Sequence, residues 1–519
     1  MSRTFQHIIG KNQLLAALVA LLSLFVANAD EFDIQYEGGV TINAGSGDFA
    51  PYYMASNRAG TLTQKFSTLL NAGFKHDMDS TKRFSYAFGA EFWGGFASST
   101  TYERYNTATK QLEGTNKQHP ANAWVQQLYA DVKYRCLFAT IGQKTKYSPL
   151  VNNELSSGDL IMSGNARAGA GVQVGILDYQ DIPFTKGWVQ VKGQLGYEKF
   201  GDSKWLENHY NYYDAFVTTG SCFHYKNIYF RTNPEKRFVA TIGAQASCQF
   251  AGTQYLYEDG VLTNIVKMPA NLKAFFRCII AGSGGNNAGD VFVEGNHVGS
   301  WDVSLDYKLR GGGKIRGYFQ KPWEDGSGIG FQNGFDGLWG LEWQSGKRGI
   351  VSDAVLEYVD LTNQSGPIHY APTDHPDYPL PTKGATGMDD YYNNYAYNGY
   401  QNRGMSVGSP FVKSTLYNTD GYLRYTDNLM RGFHMAVKGY VSPEVSYRAM
   451  FSYRTSWGTT EIPRAHSVHA TSFMLESIYN PSWMHGLEMK AQFAFDRGKL
   501  YGNTMGGLVS ITYHGNFGL

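Results

Sequence analysis

The segment from residue 236 to residue 250 constrains the fold of this chain more than any other. Alternate positions are apolar, and those between them are polar or small except for Val239. Because a β-strand turns successive side chains to opposite faces, this segment has one apolar face and one wet face. The apolar row is Phe238, Ala240, Ile242, Ala244, Ala246, Cys248 and Phe250, and the other includes Thr241, Gly243, Gln245, Ser247 and Gln249. A strand of this length and pattern is typical of a barrel that crosses an outer membrane.

Similar segments recur along the chain and predict an all-β, transmembrane antiparallel barrel of about 18 strands, an even number as bacterial barrels of this kind have. The predicted strands cover residues 32–43, 65–76, 84–96, 124–134, 137–144, 171–179, 188–199, 223–230, 237–250, 298–310, 314–321, 338–345, 350–361, 433–441, 445–454, 466–479, 487–495 and 505–514.

The connections between these segments alternate between tight turns and long loops. In outer-membrane barrels the short turns face the periplasm and the long loops face outward, which predicts that both termini are periplasmic. Loops 45–63 and 146–170 mix Gly, Pro, Asn and Arg with apolar residues, and a barrel of about 18 strands is wide enough to hold folded loops. We therefore expect these extracellular loops inside the lumen, held by the plug residues Asn57, Arg58, Asn165 and Arg167. A short helix is predicted at 271–280, between Pro269 and Gly282.

The first 29 residues have the form of an export signal. A stretch from residue 14 to residue 26 is apolar apart from Ser23, and Ala27 and Ala29 are the small residues that a signal peptidase requires. We expect residues 1–29 to be a signal peptide cleaved after Ala29, and residues 30–519 to form one barrel domain in the cell outer membrane.

Composition argues against several other classes of protein. Without Arg3 and Lys11 of the leader, the chain carries a net charge of about −1, so nothing predicts a nucleic-acid partner. The mean hydropathy of −0.36 is too polar for a bundle of membrane helices, whereas a barrel tolerates it because half of each strand faces water. No H-E-x-x-H zinc sequence is present, and we expect a non-enzymatic, monomeric protein without metal or cofactor.

The four cysteines do not pair in any obvious way. They are Cys136, Cys222, Cys248 and Cys278. Strand parity places Cys222 in the row of His224 and Lys226, and Cys248 in the apolar row. We therefore expect Cys222 and Cys248 on opposite faces of the wall, where no disulfide can join them.

Three segments carry a further signal. They are residues 50–60 (APYYMASNRAG), residues 157–167 (SGDLIMSGNAR) before 181–188 (DIPFTKGW), and residues 391–400 (YYNNYAYNGY) before 407–410 (VGSP). In this order and spacing they resemble the Wzi-type capsule assembly family of outer-membrane proteins, most closely its members from the Bacteroidetes, over residues 32–515. The resemblance implies a barrel lectin that helps to attach or assemble capsule at the cell surface. Enterobacterial members carry a helical bundle before the barrel, and only residues 30–31 precede the first strand here, so we do not expect that bundle.

Three partners are expected from these features: capsular polysaccharide, outer-membrane lipid and the barrel assembly machinery. The last expectation rests on the final strand, whose alternating residues end with Phe517 close to the C-terminus.

The loop at 362–432 has the composition of a glycan-binding surface, because Tyr offers a rigid face and a hydroxyl while Asn and Asp bind sugar hydroxyls. The candidate residues are Asp389, Asp390, Tyr391, Tyr392, Asn393, Asn394, Tyr395, Tyr397 and Tyr400, with Trp323 in a neighbouring loop. The alternative is that these tyrosines only pack the loop against the wall. Asp374, His375 and Asp377 are read as ordinary loop residues.

The competing function is an outer-membrane porin or substrate-specific diffusion channel. Such a protein would have a lumen lined by wet, charged rows and one constriction loop, in place of several partly apolar plugs.

Overall fold

The computed structural model describes residues 33–282, 294–367 and 387–518. In these ranges, segments whose side chains alternate between outward and inward form eighteen antiparallel barrel strands. The strands are β1 (Asp33–Phe49), β2 (Gln64–His76), β3 (Phe84–Ala97), β4 (Ala123–Tyr134), β5 (Leu137–Gln143), β6 (Ala170–Ile176), β7 (Val189–Lys199), β8 (Cys222–Thr232), β9 (Phe238–Phe250), β10 (Asn296–Lys308), β11 (Lys314–Trp323), β12 (Gly337–Gln344), β13 (Asp353–Leu361), β14 (Met430–Tyr440), β15 (Val445–Gly458), β16 (Pro463–Tyr479), β17 (Leu487–Gly498) and β18 (Thr504–Gly518).

The sheet closes between its first and last strands. β1 and β18 pair without interruption from Asp33 opposite Gly518 to Gly45 opposite Gly506. The two-residue segment Gln180–Asp181 continues the edge of β6 along β7. The predicted fold class and strand number are therefore confirmed. β1 runs to Phe49, beyond its predicted end at residue 43, because its backbone keeps pairing after the side-chain alternation stops.

Short turns lie at one end of the barrel and the long loops at the other. The connections at 459–462 and 499–503 depart from the predicted alternation, because they lie at the long-loop end and are short. The longer connections contain small hairpins, among them Thr100–Asn106 with Gln111–Gln118, and four α-helices. None of the helices in the described ranges is long and apolar enough to span a bilayer. The helices are α1 (Tyr52–Ala55), α2 (Ser203–His209), α3 (Leu272–Ile280) and α4 (Gly326–Ile329).

An exposed apolar belt surrounds the outer surface of the wall. The outward positions are filled by large aliphatic and aromatic residues, as a lipid-facing surface requires. Examples, one or two from each region of the wall, are Ile42, Leu70, Ile141, Val172, Ile242, Leu341, Phe433, Leu475 and Val509.

The lumen contains a packed protein core. Loops from the long-loop end fold inward, and their apolar residues pack against inward residues of the wall. Burial of each large side chain contributes about 1.5–3 kcal/mol, so these loops form a stable plug. The largest cluster includes Leu160, Ile161, Met162, Tyr391, Tyr392, Tyr400, Phe411 and Tyr425 from the loops, and Phe223, Tyr225, Tyr318, Leu338 and Val359 from the strands.

The expected placement of Cys222 and Cys248 on opposite faces is wrong. Cys222 lies opposite Phe250, and His224 lies opposite Cys248, so both cysteines belong to the outward row of the wall. The inward row of β8 holds Phe223, Tyr225 and Tyr229, which are buried. The prediction assumed that the polar row of β8 faces the lumen. The apolar row faces the lumen instead, because the lumen is filled with protein, and the polar row faces outward beneath α3. All four cysteines are free thiols.

Candidate functional site

Three of the expected plug residues connect the inner loops to each other and to the wall. The backbone N–H of Asn57 donates to Asn165 Oδ1 at 3.1 Å, and Asn165 Nδ2 donates to the Ser406 carbonyl at 3.0 Å. Arg58 donates to Gln492 at 2.6 Å and pairs with Glu476 at 3.1 Å. These contacts hold loops 50–63, 144–169 and 387–429 together.

Asp159, which lies within one of the resemblance motifs, is the centre of a buried hydrogen-bond network. Its carboxylate accepts from Gln245 Nε2 at 3.0 Å and from Gln320 Nε2 at 2.9 Å, so it connects loop 144–169 to β9 and β11. The backbone N–H groups of Ile161 and Met162 donate to the same carboxylate at 2.7 and 3.0 Å. A carboxyl group removed from water this completely is stabilised only when several donors surround it, as they do here.

The tyrosines of loop 387–429 pack inside the plug. The hydroxyl of Tyr391 donates to Asp336 at 3.1 Å, and that of Tyr400 donates to the Ile161 carbonyl at 2.8 Å. The ring of Tyr392 stacks on that of Tyr400 with 5.5 Å between centroids. Tyr391, Tyr392, Tyr397 and Tyr400 are all buried, whereas Tyr395 is 58% exposed. Most of these rings therefore offer no face to a ligand.

The amides and carboxylates of the same loop also bind protein groups. Asn393 Nδ2 donates to the Tyr425 carbonyl at 2.9 Å, and Asn394 Nδ2 donates to Asn296 at 3.3 Å. Asp390 accepts from Asn428 at 2.6 Å. Asp389 accepts from the hydroxyl of Ser365 at 2.5 Å, and burial followed by the charge of Asp325 raises the pKa of Asp389 to about 7.

Trp323 lies at the end of β11 on the outward row, opposite Gly299. Its ring lies 6.5 Å from that of Trp301, which is also on the outer surface. This position is typical of the aromatic residues that ring a barrel at the membrane surface.

Two cavities lie on either side of one stretch of loop, residues 57–64, which we call the strap. The turn-end cavity has a volume of about 390 Å³ and contacts strap residues from Asn57 to Leu62. The loop-end cavity has a volume of about 370 Å³ and contacts Gly60, Thr63 and Gln64. The strap is held by Gln126, whose Nε2 donates to the Ala59 carbonyl at 3.2 Å.

The loop-end cavity is positively charged. Its charged side chains come from the hairpin at 100–118, from loop 144–169, from α2 and from loop 387–429, and no carboxylate is among the residues that line it. None of the four cations forms an ion pair with another described residue. They are Lys117, Arg167, Lys204 and Arg403. Unpaired cations that converge on a cavity without acids form a site for an anionic group.

Arg167 and Asn402 present unused polar atoms at this cavity. Arg167 lies over the ring of Trp124 at 4.8 Å, and its buried Nε has no hydrogen-bond partner among the described residues. Burial and the nearby charge of Arg403 lower the pKa of Arg167 to about 9, so it remains charged at neutral pH. Asn402 is 2% exposed and donates to the Arg167 carbonyl at 2.6 Å, while its Oδ1 accepts no hydrogen bond from the described chain.

An aromatic surface completes the cavity. Trp205 of α2 lines it and stacks on His209, with 4.0 Å between ring centroids and 18° between planes. Burial lowers the pKa of His209 to about 4, so this ring is neutral at physiological pH. Arg167, expected as a plug residue, thus belongs to a cavity whose other residues the sequence did not identify. Only their charge and their clustering in space show that they act together.

The segment from Gly404 to Gly408 matches the G-x-S-x-G pattern that holds the nucleophilic serine of many hydrolases. In those enzymes the serine lies on a sharp turn between a strand and a helix, within reach of a histidine. Ser406 instead lies in the two-residue strand Met405–Ser406, fully buried. No histidine in the described part of the chain forms a hydrogen bond with its hydroxyl.

No protein-family model and no curated protein sequence matches this chain. Among solved structures, it is similar to Wzi of Escherichia coli, described as an outer membrane protein involved in group 1 capsule assembly and a carbohydrate-binding β-barrel. The TM-score is 0.54 at 11% identity, over 96% of this chain and 88% of Wzi. OccK3 of Pseudomonas aeruginosa matches with a TM-score of 0.44 at 11% identity, over 94% of this chain and 96% of OccK3. OccAB2 of Acinetobacter baumannii matches with a TM-score of 0.46 at 8% identity, over 94% of this chain and 98% of OccAB2. The likeness to Wzi shows that the chain has the eighteen-stranded barrel fold of an outer-membrane protein.

Proposed function

We propose that this protein binds capsular polysaccharide at the outer face of the outer membrane and helps to attach or assemble the capsule, without enzymatic activity. The loop-end cavity is the observation that carries the proposal. It places four unpaired cations, an amide with a free acceptor and an indole around about 370 Å³. This set matches a sugar that bears a carboxylate, because guanidinium groups bind carboxylates, amides bind hydroxyls and aromatic rings cover sugar C–H faces.

The proposal includes several further points. They are that residues 1–29 are an export signal, that the long loops face outward, and that the chain is related to Bacteroidetes members of the Wzi-type family. Tyr395, the exposed tyrosine of the candidate loop, supplies an additional contact for a long polymer. The loop-end cavity of each protein molecule binds one sugar unit weakly. Because a polymer carries many repeats, it binds many such molecules at once and is retained through multivalency.

The binding experiment uses the purified barrel in detergent with two probes, polygalacturonate oligosaccharides and neutral dextran. We expect titration calorimetry to show binding of the acidic probe that weakens with added salt, and little binding of dextran. The double variant Arg167→Gln/Arg403→Gln should lose more than tenfold in affinity, since a hydrogen bond to a charged group contributes about 1.5–3 kcal/mol. Lys273→Gln, on exposed α3 and outside the cavity lining, is the matched control and should bind normally.

A cellular measurement tests the role in capsule. In an encapsulated host, the double variant should release polysaccharide into the medium while total polysaccharide and barrel abundance stay unchanged. Normal retention of capsule by a folded double variant would contradict the proposal.

A diffusion channel is the second candidate, and one observation favours it. The turn-end and loop-end cavities are separated by the strap, so movement of residues 57–64 would join them. Conductance in planar bilayers distinguishes the two functions, because a channel passes steady current and a plugged binding protein does not.

A further inference from the structure

Helix α3 lies on the outer surface of the barrel, although it belongs to a loop. Ala274 and Cys278 of the helix are buried against Cys248 and Phe250 of β9. Tyr197 on β7 donates from its hydroxyl to the Phe275 carbonyl at 2.6 Å. The rings of Phe275 and Phe250 meet edge to face, with centroids 4.9 Å apart. The helix therefore packs on the outside of three neighbouring strands.

Beneath the helix, the outward row of the wall includes polar residues beside the apolar ones. His224 and His297 point outward from β8 and β10 and are buried. Lys226 donates from Nζ to the carbonyls of Cys278 and Ile279, which are unsatisfied groups of the last helical turn. Outward polar groups in contact with lipid chains are strongly unfavourable, and α3 shields these three from that contact.

The height of α3 on the wall follows from the strand beneath it. Phe238 marks the short-turn end of β9 and is exposed on the outer surface. From Phe238 to Cys248 a strand tilted by about 40° rises roughly 25 Å, which is the height of the apolar belt of such a barrel. The helix therefore crosses the wall where the hydrocarbon of the long-loop side meets the headgroups.

The surface that α3 turns away from the barrel is apolar. Leu272, Phe276 and Ile280 are spaced by four residues and so lie along one face of the helix. They are 89%, 61% and 59% exposed, respectively. Lys273 is exposed beside this face, and Arg277 pairs with Glu294 at 3.1 Å. A helix with an apolar face flanked by cations is typical of one that lies in a membrane interface.

We propose that α3 is an interfacial membrane helix that seals a polar gap in the barrel wall. Leu272, Phe276 and Ile280 insert among the acyl chains of the outer leaflet, while Lys273 contacts the phosphates of the headgroups. The strands beneath α3 carry exposed apolar residues of the belt on the same outer surface, among them Ile228 and Ile242. A protein partner would require a surface larger than this stripe of three side chains.

Photo-crosslinking in vesicles of dioleoylphosphatidylcholine tests this proposal. A benzophenone-bearing phenylalanine replaces Phe276 in the full-length barrel, and mass spectrometry measures the fraction of protein bonded to lipid. Leu70, exposed in the belt, is the positive control, and Leu112, exposed in the hairpin of loop 98–122, is the negative control. Position 276 should give a lipid adduct at a yield within about threefold of position 70.

Positions 272 and 280 provide independent replacements on the same face, and resistance to unfolding by heat on a gel verifies that each variant is folded. Yields at all three positions as low as that at position 112 would overturn the proposal. A crosslink between two copies of the chain at position 276 would also overturn it, in favour of a dimer interface.

Discussion

At the scale of single residues, the neighbours of a cation decide its role. Arg58 and Arg167 both occur in motifs that resemble those of one family, and both lie in loops that enter the lumen. Arg58 is paired with buried Glu476 and holds the plug to the wall. Arg167 has no acidic partner among the described residues and faces the loop-end cavity with Arg403. The same side chain is structural where its charge is neutralised and available for binding where it is not.

Replacement of Arg58 by Gln should weaken the plug by roughly 1–3 kcal/mol, because buried Glu476 loses one of its two arginine partners. Replacement of Arg167 by Gln should change the stability of the plug by less than about 0.5 kcal/mol. Hydrogen exchange of the amides in residues 50–63 measures both effects. Equal loss of protection in the two variants would contradict this division of roles.

The raised pKa of Asp389 predicts a pH dependence. Its folded pKa of about 7 lies above the usual value of 3.8, so the folded loop binds a proton more tightly than the open loop does. The resulting stabilisation is complete below about pH 4 and is lost as the pH rises to about 7, by at most about 1.4 kcal/mol per unit.

We expect protection of loop 387–429 against hydrogen exchange, corrected for the intrinsic rate, to fall between pH 5 and pH 7. Asp389→Asn, which stays neutral, should remove this slope. A slope that persists in the variant would assign the effect to another carboxyl, such as Asp336, whose pKa burial raises to about 6.

At the scale of strands, each wall segment presents alternate residues to lipid and to the lumen, but the lumen is not uniformly wet. Gln245 occupies a position where alternation alone predicts that an inward charge is tolerated. It is fully buried and hydrogen-bonds with Asp159, Asp302 and Tyr225. An arginine there would disrupt the plug. A comparison of charge on the lipid face with charge on the lumen face therefore requires a strand whose lumen face borders a cavity.

β18 provides that comparison. Val509 is exposed on the outer surface, whereas Thr512 lines the turn-end cavity near Glu37 and Glu91. Val509→Arg should destabilise the barrel by about 2–4 kcal/mol because it places a charge in the hydrocarbon, and Thr512→Arg should cost less than about 1 kcal/mol. Unfolding titrations in lipid vesicles measure both. Similar losses in the two variants would show that the faces of this strand have been exchanged.

At the scale of the whole molecule, the packed loops predict a barrel that conducts poorly. The intact protein should show little steady current in planar bilayers, and deletion of residues 155–168 should open it, because that deletion removes Asp159 and Asn165 together. The deleted barrel must keep its heat-resistant fold for the comparison to hold. A large steady current from the intact protein would favour the channel function.

Sidedness is a second property of the whole molecule. A cysteine introduced at Glu258, exposed near the tip of the loop-end hairpin at 253–267, should react with a membrane-impermeant maleimide on intact cells. A cysteine at Arg310, exposed near a short turn, should not. The unmodified chain, with its four native cysteines, gives the background. Labelling at 310 without labelling at 258 would invert the predicted orientation.

Much of the fold was predictable because a lipid-facing strand must keep an apolar residue at every second position. The predicted segments correspond to all eighteen strands, and the helix predicted at 271–280 is α3, which begins after its N-cap Asn271. Asn57, Arg58 and Asn165 form hydrogen bonds between the inner loops or from a loop to the wall. Residues 374, 375 and 377 lie outside the described ranges.

The candidate site was less predictable. The density of Tyr, Asn and Asp in loop 387–429 indicated binding, but packing uses the same residue types, and only burial separates the two. Lys117, Arg167, Lys204 and Arg403 come from four loops and share no motif. Their common features are that they line one cavity and that none forms an ion pair with a described residue, and both are properties of tertiary structure.

The sequence by itself determined the number of strands, their order and the alternation of turns with loops, because these depend on local periodicity and on the requirement that every backbone group in a membrane be paired. Only the tertiary structure decided which face of β8 meets the lumen, which loops pack as a plug and which cations stay unpaired. Those features depend on contacts between residues far apart in the chain, such as Asp159 with Gln320 or α3 with Lys226. Local periodicity does not predict such contacts, because it reflects only the spacing of neighbouring residues.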